Sequence, residues 1–282
     1  MSFSSDKKHK LIFENWRGFV SEKADPTAID KDKFPTRLSQ VNPDVAKAIT
    51  RTGAMDGNAE DDKIPVKANA LFPVSQLKPS QSSMNISKAM AQALAMLMGT
   101  MPAGGDLGAF ISNDGHIMDG HHRWVATAMV DPSKEVGGYL VDFPGSELIA
   151  ILNAITVGRL GKAPTDGKAG TGGFNQFKIG PITQQLVEYY KNGIPGDYPV
   201  SAEDIQKLVH ENTGLKGEQA IKALANKFAM NLADLRFEVP TGAPARPDMP
   251  VIDGDSATSL AATALNTGEI DVNPPYGKIG QK

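Results

Sequence analysis

The chain has 282 residues, room for one large domain or two small ones, and 40% of them are hydrophobic, so a core can be buried. It carries 29 Lys and Arg against 32 Asp and Glu, a formal net charge of -3, which excludes a globally basic nucleic-acid coat and leaves only a local basic site. It contains no cysteine, which excludes disulfides, thiolate nucleophiles, cysteine-ligated zinc and iron–sulfur clusters and agrees with a reducing cytoplasm.

No stretch reaches the roughly 20 apolar residues of a membrane helix. Residues 1–10 are polar and no apolar signal core follows them. Residues 10–20 then predict a short amphipathic helix, with Leu11, Ile12, Trp16, Phe19 and Val20 at helical spacing. Trp16 and Phe19 would cover the protein's own core or dock a partner. Residues 25–62 are rich in Asp, Pro, Gly and Lys, with one short helix near 44–51 and an acidic, solvated linker over 53–62.

Ordered elements resume at Ile64, where 64–68 reads as a strand with Pro65 near its start. Residues 86–98 predict a helix with Ile86, Met90, Leu94, Leu97 and Met98 on one face and Ser82 or Asn85 as cap. The apolar run 107–111, the Asp-Gly turn over 112–115 and the short 116–118 predict a hairpin. Asp119-Gly120 breaks the second strand, and 124–130 is helical. Residues 137–143 predict a further strand and 146–157 a helix capped by Ser146. The Gly- and Lys-rich run 158–173 reads as a linker or mobile loop. Helices are expected over 182–190, from the Ser201 cap onward, and over 218–228. From Val239 on, repeated prolines predict an extended arm with one helix near 256–265.

The chemistry gathers at one turn. Three of the five histidines, His116, His121 and His122, stand beside Asp114, Asp119 and Arg123 at a strand-to-helix junction. A helix opening near Gly120 leaves the amides of His121, His122 and Arg123 without helical partners, and with the helix dipole they form an anion site. Gly120 lets a phosphate approach the backbone, and Arg123 can clamp its oxygens in bidentate fashion. His121 or His122 can bind phosphate or move a proton. Asp119 can orient an imidazole or hold a hydrated magnesium ion. The plainer alternative is a turn in which Asp119 caps the helix and one histidine packs inside. A zinc site built on His116 with His121 or His122 and a carboxylate is a further option.

The block Ile117-Met118-Asp119-Gly120-His121-His122-Arg123, followed by Trp124-Val125-Ala126-Thr127-Ala128, resembles the phosphate-binding box of the ParB/sulfiredoxin superfamily. It looks most like the branch that includes free serine kinases and many phage-encoded ParB-like proteins. The upstream block 71–81, Leu-Phe-Pro-Val-Ser-Gln-Leu-Lys-Pro-Ser-Gln, is similar to that superfamily's first box. The resemblance spans about 63–160. It implies an α/β (α+β) domain with a small mixed sheet, in which Gly120, His121, His122 and Arg123 bind phosphates and Gln81 and Ser82 lie near the same pocket. Where ParB proper carries Glu and Arg, this chain has His121 and His122. Sulfiredoxin's catalytic cysteine is missing, which excludes sulfinic acid reduction. Residues 11–19 and the segments 246–252 and 268–276 look like parts of phage proteins.

These readings set out an N-terminal arm and linker (1–62), a nucleotide- or phosphate-binding domain (63–160), a Gly-rich linker (161–173), a helical region (174–238) and a Pro-rich tail (239–282). The expected function is binding of an ATP-like nucleotide with Mg2+, with phosphoryl transfer or hydrolysis resting on His121, His122 and Asp119, the last also as metal partner. Gly120, Arg123, Gln81 and Ser82 would bind the nucleotide. The alternatives are a virion or assembly protein that binds partners through its two arms, and a ParB-like nuclease, against which the net charge argues. The expected location is the cytoplasm, that of the host for a phage-encoded chain, or the virion, with no membrane contact.

Overall fold

The computed structural model describes residues 24–27, 29–51, 58–163, 172–196 and 199–272. The helix expected over 10–20 lies outside them, as does most of the Gly-rich run. The fold is α+β: the described residues form eight α-helices around one five-stranded mixed sheet.

The strands are β1 (Val66–Pro73), β2 (Lys78–Pro79), β3 (Gly105–Ser112), β4 (His116–Ile117) and β5 (Glu135–Val141), in the spatial order β1-β5-β3-β4-β2. β1 runs antiparallel to β5, β5 parallel to β3, β3 antiparallel to β4, and β4 parallel to β2. Parallel partners need a crossover. Helix α2 (Ile86–Leu97) lies in the connection from β2 to β3, and α3 (His121–Val130) in the one from β4 to β5. Between β5 and β1 the backbones come very close. A Cβ on Gly137 would fall 1.7 Å from the Ala70 carbonyl oxygen, so only glycine fits there.

Alternation along β3 separates two cores. Ala109 and Ile111 face one side with Trp124, Met90 and Leu94 of the helices, while Phe110 faces the other with Phe143 and Ile151. On the first side, α2 and α3 are backed by α5 (Ile179–Asn192), α6 (Ala202–Thr213) and α7 (Gly217–Asn231). The helical region is therefore continuous with the sheet domain: Leu186, Leu224 and Phe228 share a core with Trp124 and Met129. Phe237 closes this side, stacked on Phe174 and Phe177 at 5.0 and 5.6 Å.

The second side is covered by α4 (Gly145–Gly158) and α8 (Asp255–Thr267), with α1 (Pro43–Ile49) packed on α4. Here two expectations are corrected. Residues 29–51 are not an arm, because Ile29, Phe34 and Ile49 are buried in this core. The described part of the Pro-rich segment is not extended into solvent. Met249, Leu265, Ile270 and Val272 are buried, and the Val272 amide donates to the Asp62 carboxylate at 2.8 Å. Proline spacing predicts breaks in helix and strand, but the apolar side chains between the prolines bring the segment back onto the core.

Asn42, Asn85 and Ser201 cap α1, α2 and α6 through their side chains. Ser146 does not cap α4. The helix starts at Gly145 behind Pro144, and the Ser146 hydroxyl turns to the Glu147 carboxylate instead. Among the described residues no helix is long and apolar enough to cross a membrane.

Candidate functional site: a polar cavity at the start of helix α3

β4 ends at Ile117 and α3 begins at His121. Between them Gly120 takes φ +75°, the left-handed region that glycine enters freely, and as N-cap it has no side chain to satisfy the first turn. Asp119 does not cap the helix. Its carboxylate accepts the adjacent Gly120 amide at 2.7 Å. The amides of His121, His122 and Arg123 thus open the helix without a side-chain cap, at the positive end of its dipole.

This turn forms the floor of a cavity of about 370 Å³, within the size range of small-molecule sites. Gln81, Lys88, Gln92, Arg246, Met249 and Asp253 line it as well. Lys88 and Gln92 are four residues apart on α2, so they share a face. Three cations, Lys88, Arg123 and Arg246, face two carboxylates, Asp119 and Asp253, and Asp253 is paired with Lys162 at 3.3 Å.

Three polar atoms on the wall are buried without a hydrogen-bond partner among the described residues: Gln81 Nε2, Gln92 Oε1 and Arg123 Nε. Gln81 is only 3% exposed, so the surrounding protein leaves its amide nitrogen little access to solvent. Such groups cost on the order of 1–3 kcal/mol each. Among the described residues the Arg123 guanidinium makes one hydrogen bond, a long 3.5 Å approach to the Gly104 carbonyl.

The histidines are placed differently from one another. His121 Nε2 accepts the Ser80 amide at 3.1 Å, with the Ser80 hydroxyl at 3.2 Å. His122 Nε2 accepts the Asn85 amide at 3.2 Å, and its Nδ1 lies 3.3 Å from Arg246 Nη1. Burial pushes both rings down to about 3, helped by the neighbouring His122 ring and Arg246 for His121, and by Arg246 and Lys88 for His122. Both are neutral at physiological pH, with Nε2 committed to backbone. His116 donates from Nδ1 to the Pro79 carbonyl at 2.9 Å, and burial lowers it too. Desolvation in the cavity raises the Asp119 carboxyl, opposed by the hydrogen bond from the Gly120 amide.

Of the residues singled out in the sequence, Asp119, Gly120, His121, His122, Arg123 and Gln81 line this cavity together. Ser82 does not. Its amide and hydroxyl both donate to the Pro244 carbonyl, at 2.9 and 3.2 Å, and so tether the 239–272 segment. Lys88, Gln92, Arg246 and Asp253 are additional. The polar pair Lys88 and Gln92 on an otherwise apolar helix was a readable signal for two of them. Arg246 had none, lying 124 residues from His122.

The zinc arrangement does not form. The Nε2 lone pairs of His121 and His122 are taken by amides, and among the described residues no three His, Asp or Glu side chains form a metal-holding group. Asp119 and Asp253 are the two carboxylates on the cavity lining, the number that a largely hydrated magnesium ion takes from a protein. No family model matches the chain, and no curated protein and no solved structure matches it either.

Proposed function

We propose that the cavity binds a phosphate-bearing small molecule, a nucleotide carrying magnesium being the class that the Asp119–Arg123 box leads one to expect. The observation that carries this reading is the surplus of unpaired N–H groups at a helix N-terminus: buried Gln81 Nε2 and Arg123 Nε, beside the cations Lys88 and Arg246. Oxyanion acceptors are what such a set lacks. In this reading Arg123 and the first-turn amides hold phosphate oxygens, and Asp119 holds the magnesium ion, whose charge would offset that of the phosphates. Where phosphoryl transfer or hydrolysis follows, it depends on positioning and charge neutralisation. His121 and His122, held neutral with Nε2 bonded to backbone, serve as positioning residues rather than proton shuttles.

Isothermal titration of the full chain with ATP, CTP, GTP and ADP, each with magnesium, tests the proposal. Saturable binding of at least one is expected, competed by inorganic phosphate. Folded protein that binds none of them and no phosphate would overturn it. The assembly reading relied on two free arms, and the described part of the segment after Val239 is packed rather than free.

A further inference from the structure

The His122 ring is caught between two donors. The Asn85 amide points at Nε2 from 3.2 Å, and the Arg246 guanidinium lies 3.3 Å from Nδ1. A neutral imidazole has one lone pair and one N–H, and a guanidinium never accepts. One of the two contacts therefore sets donor against donor. Protonating the ring would put hydrogens on both nitrogens and make the conflict worse, and burial beside Arg246 and Lys88 opposes that protonation. The amide is fixed by the turn into α2, where Asn85 is also the helix cap. Arg246, in contrast, is an exposed side chain. The lone pair therefore belongs to Nε2, which leaves Nδ1–H and the guanidinium N–H side by side, 3.3 Å apart, on the cavity lining.

The backbone that carries Arg246 is not loose. Pro244 takes two hydrogen bonds from Ser82, the Asp248 carboxylate accepts the Ser39 amide at 3.0 Å, and Met249 is buried. The guanidinium is thus delivered to this spot by an anchored turn.

We propose that His122 Nδ1–H and Arg246 form a two-donor clamp for an oxyanion, so that the 239–272 segment contributes a ligand-binding residue to the cavity. The proposal rests on the reading of the cavity as a phosphate site. It adds that a phosphate oxygen bridges these two donors. The bridging oxygen removes the donor conflict at His122 and pairs with the charge of Arg246 at once.

The test is a titration of the full-length, 15N-histidine-labelled protein with inorganic phosphate, followed by NMR, for the wild type and for Arg246→Ala, Arg246→Lys and Arg123→Ala. The free protein should show His122 as the neutral ring with its hydrogen on Nδ1. Phosphate should shift the Nδ1 resonance while Nε2 stays nearly fixed. Arg246→Ala should weaken phosphate binding about tenfold, the usual scale for one charge-assisted contact, and Arg246→Lys should retain part of it. Circular dichroism checks that each variant is folded. A His122 hydrogen found on Nε2, or phosphate affinity unchanged in Arg246→Ala but lost in Arg123→Ala, would overturn the clamp and leave the phosphate site standing. A wild-type protein that shows no response to phosphate would overturn both.

Discussion

The Nε2 atom of His121 lies 3.1 Å from the backbone nitrogen of Ser80, 41 residues earlier in the chain. That bond ties the first residue of α3 to the end of edge strand β2, which is only two residues long. Replacing His121 with alanine strands a buried amide, and stability at neutral pH should fall by about 1–3 kcal/mol or more. Urea unfolding followed by circular dichroism measures this. A variant as stable as the wild type would show that Ser80 finds another partner.

Acid should loosen the fold through the same rings. Folded His121 and His122 are pushed down to about 3 from an ordinary 6.5. Below 6.5 the unfolded chain takes up protons that the folded chain refuses, so the stability held above 6.5 drains away as pH falls towards about 3. Each ring contributes a slope of about 1.4 kcal/mol per pH unit. Asp119, with its raised carboxyl, works in the opposite sense just above its ordinary value of 3.8. A His121→Gln variant should show a visibly flatter dependence of unfolding free energy on pH across that window. An equal slope in both proteins would remove His121 from the account.

Gly120 sits at φ +75°, and a Cβ there would meet Leu107 at 3.2 Å. The leucine side chain can shift a few tenths of an ångström, so the backbone conformation dominates the cost, about 1–2 kcal/mol for an alanine. Gly120→Ala should lower the melting temperature, and Gly120→Asn should do so less. Calorimetry decides the order.

Among the described residues Arg123 has no hydrogen-bond partner at Nε and only a long one at Nη2. Arg123→Ala should therefore leave the fold intact while nucleotide or phosphate affinity drops at least about tenfold. Titration calorimetry on the folded variant reads the loss directly, and undiminished affinity would make Arg123 a packing residue.

Deleting residues 240–282 removes Met249, Leu265, Ile270 and Val272 from the second core. Each is a buried apolar side chain of about 1.5–3 kcal/mol, and together they approach the whole margin of an ordinary domain, roughly 5–15 kcal/mol. The truncated chain should lose cooperative thermal unfolding. A truncated protein that melts like the full chain would restore the reading of this segment as an arm.

What could be read in the sequence follows the range of the forces involved. The turn at Asp119-Gly120, the Asn85 cap and the hairpin at Ser112–Gly115 are decided within a few residues, and each lies where local chemistry predicts. The α+β class with a mixed sheet was expected from the resemblance of 63–160 rather than from the strand pattern alone, and the sheet is mixed. The role of Ser82 and the placement of Arg246 were not legible, since both depend on Pro244 meeting a turn 162 residues away. Nor could the sequence show which histidine nitrogen faces a backbone amide, because that depends on β2, α2 and α3 being assembled side by side. Proline spacing misled for a related reason: it reports what the backbone cannot do locally, not where Met249 or Ile270 finds its contacts.

The wall that carries Arg246 is also the part of the protein made late. All five strands are complete by Val141, about a hundred residues before Arg246. At about 5–20 residues per second that gap lasts roughly 5–20 s of translation. Through that interval the nascent sheet can pair and α4 can settle, yet the places later filled by Met249, Leu265 and Ile270 stay open to chaperones and to neighbouring chains. On the proposed reading the Arg246 side of the clamp is also completed only when that stretch has left the ribosome, so a prematurely ended polypeptide would leave these apolar places uncovered.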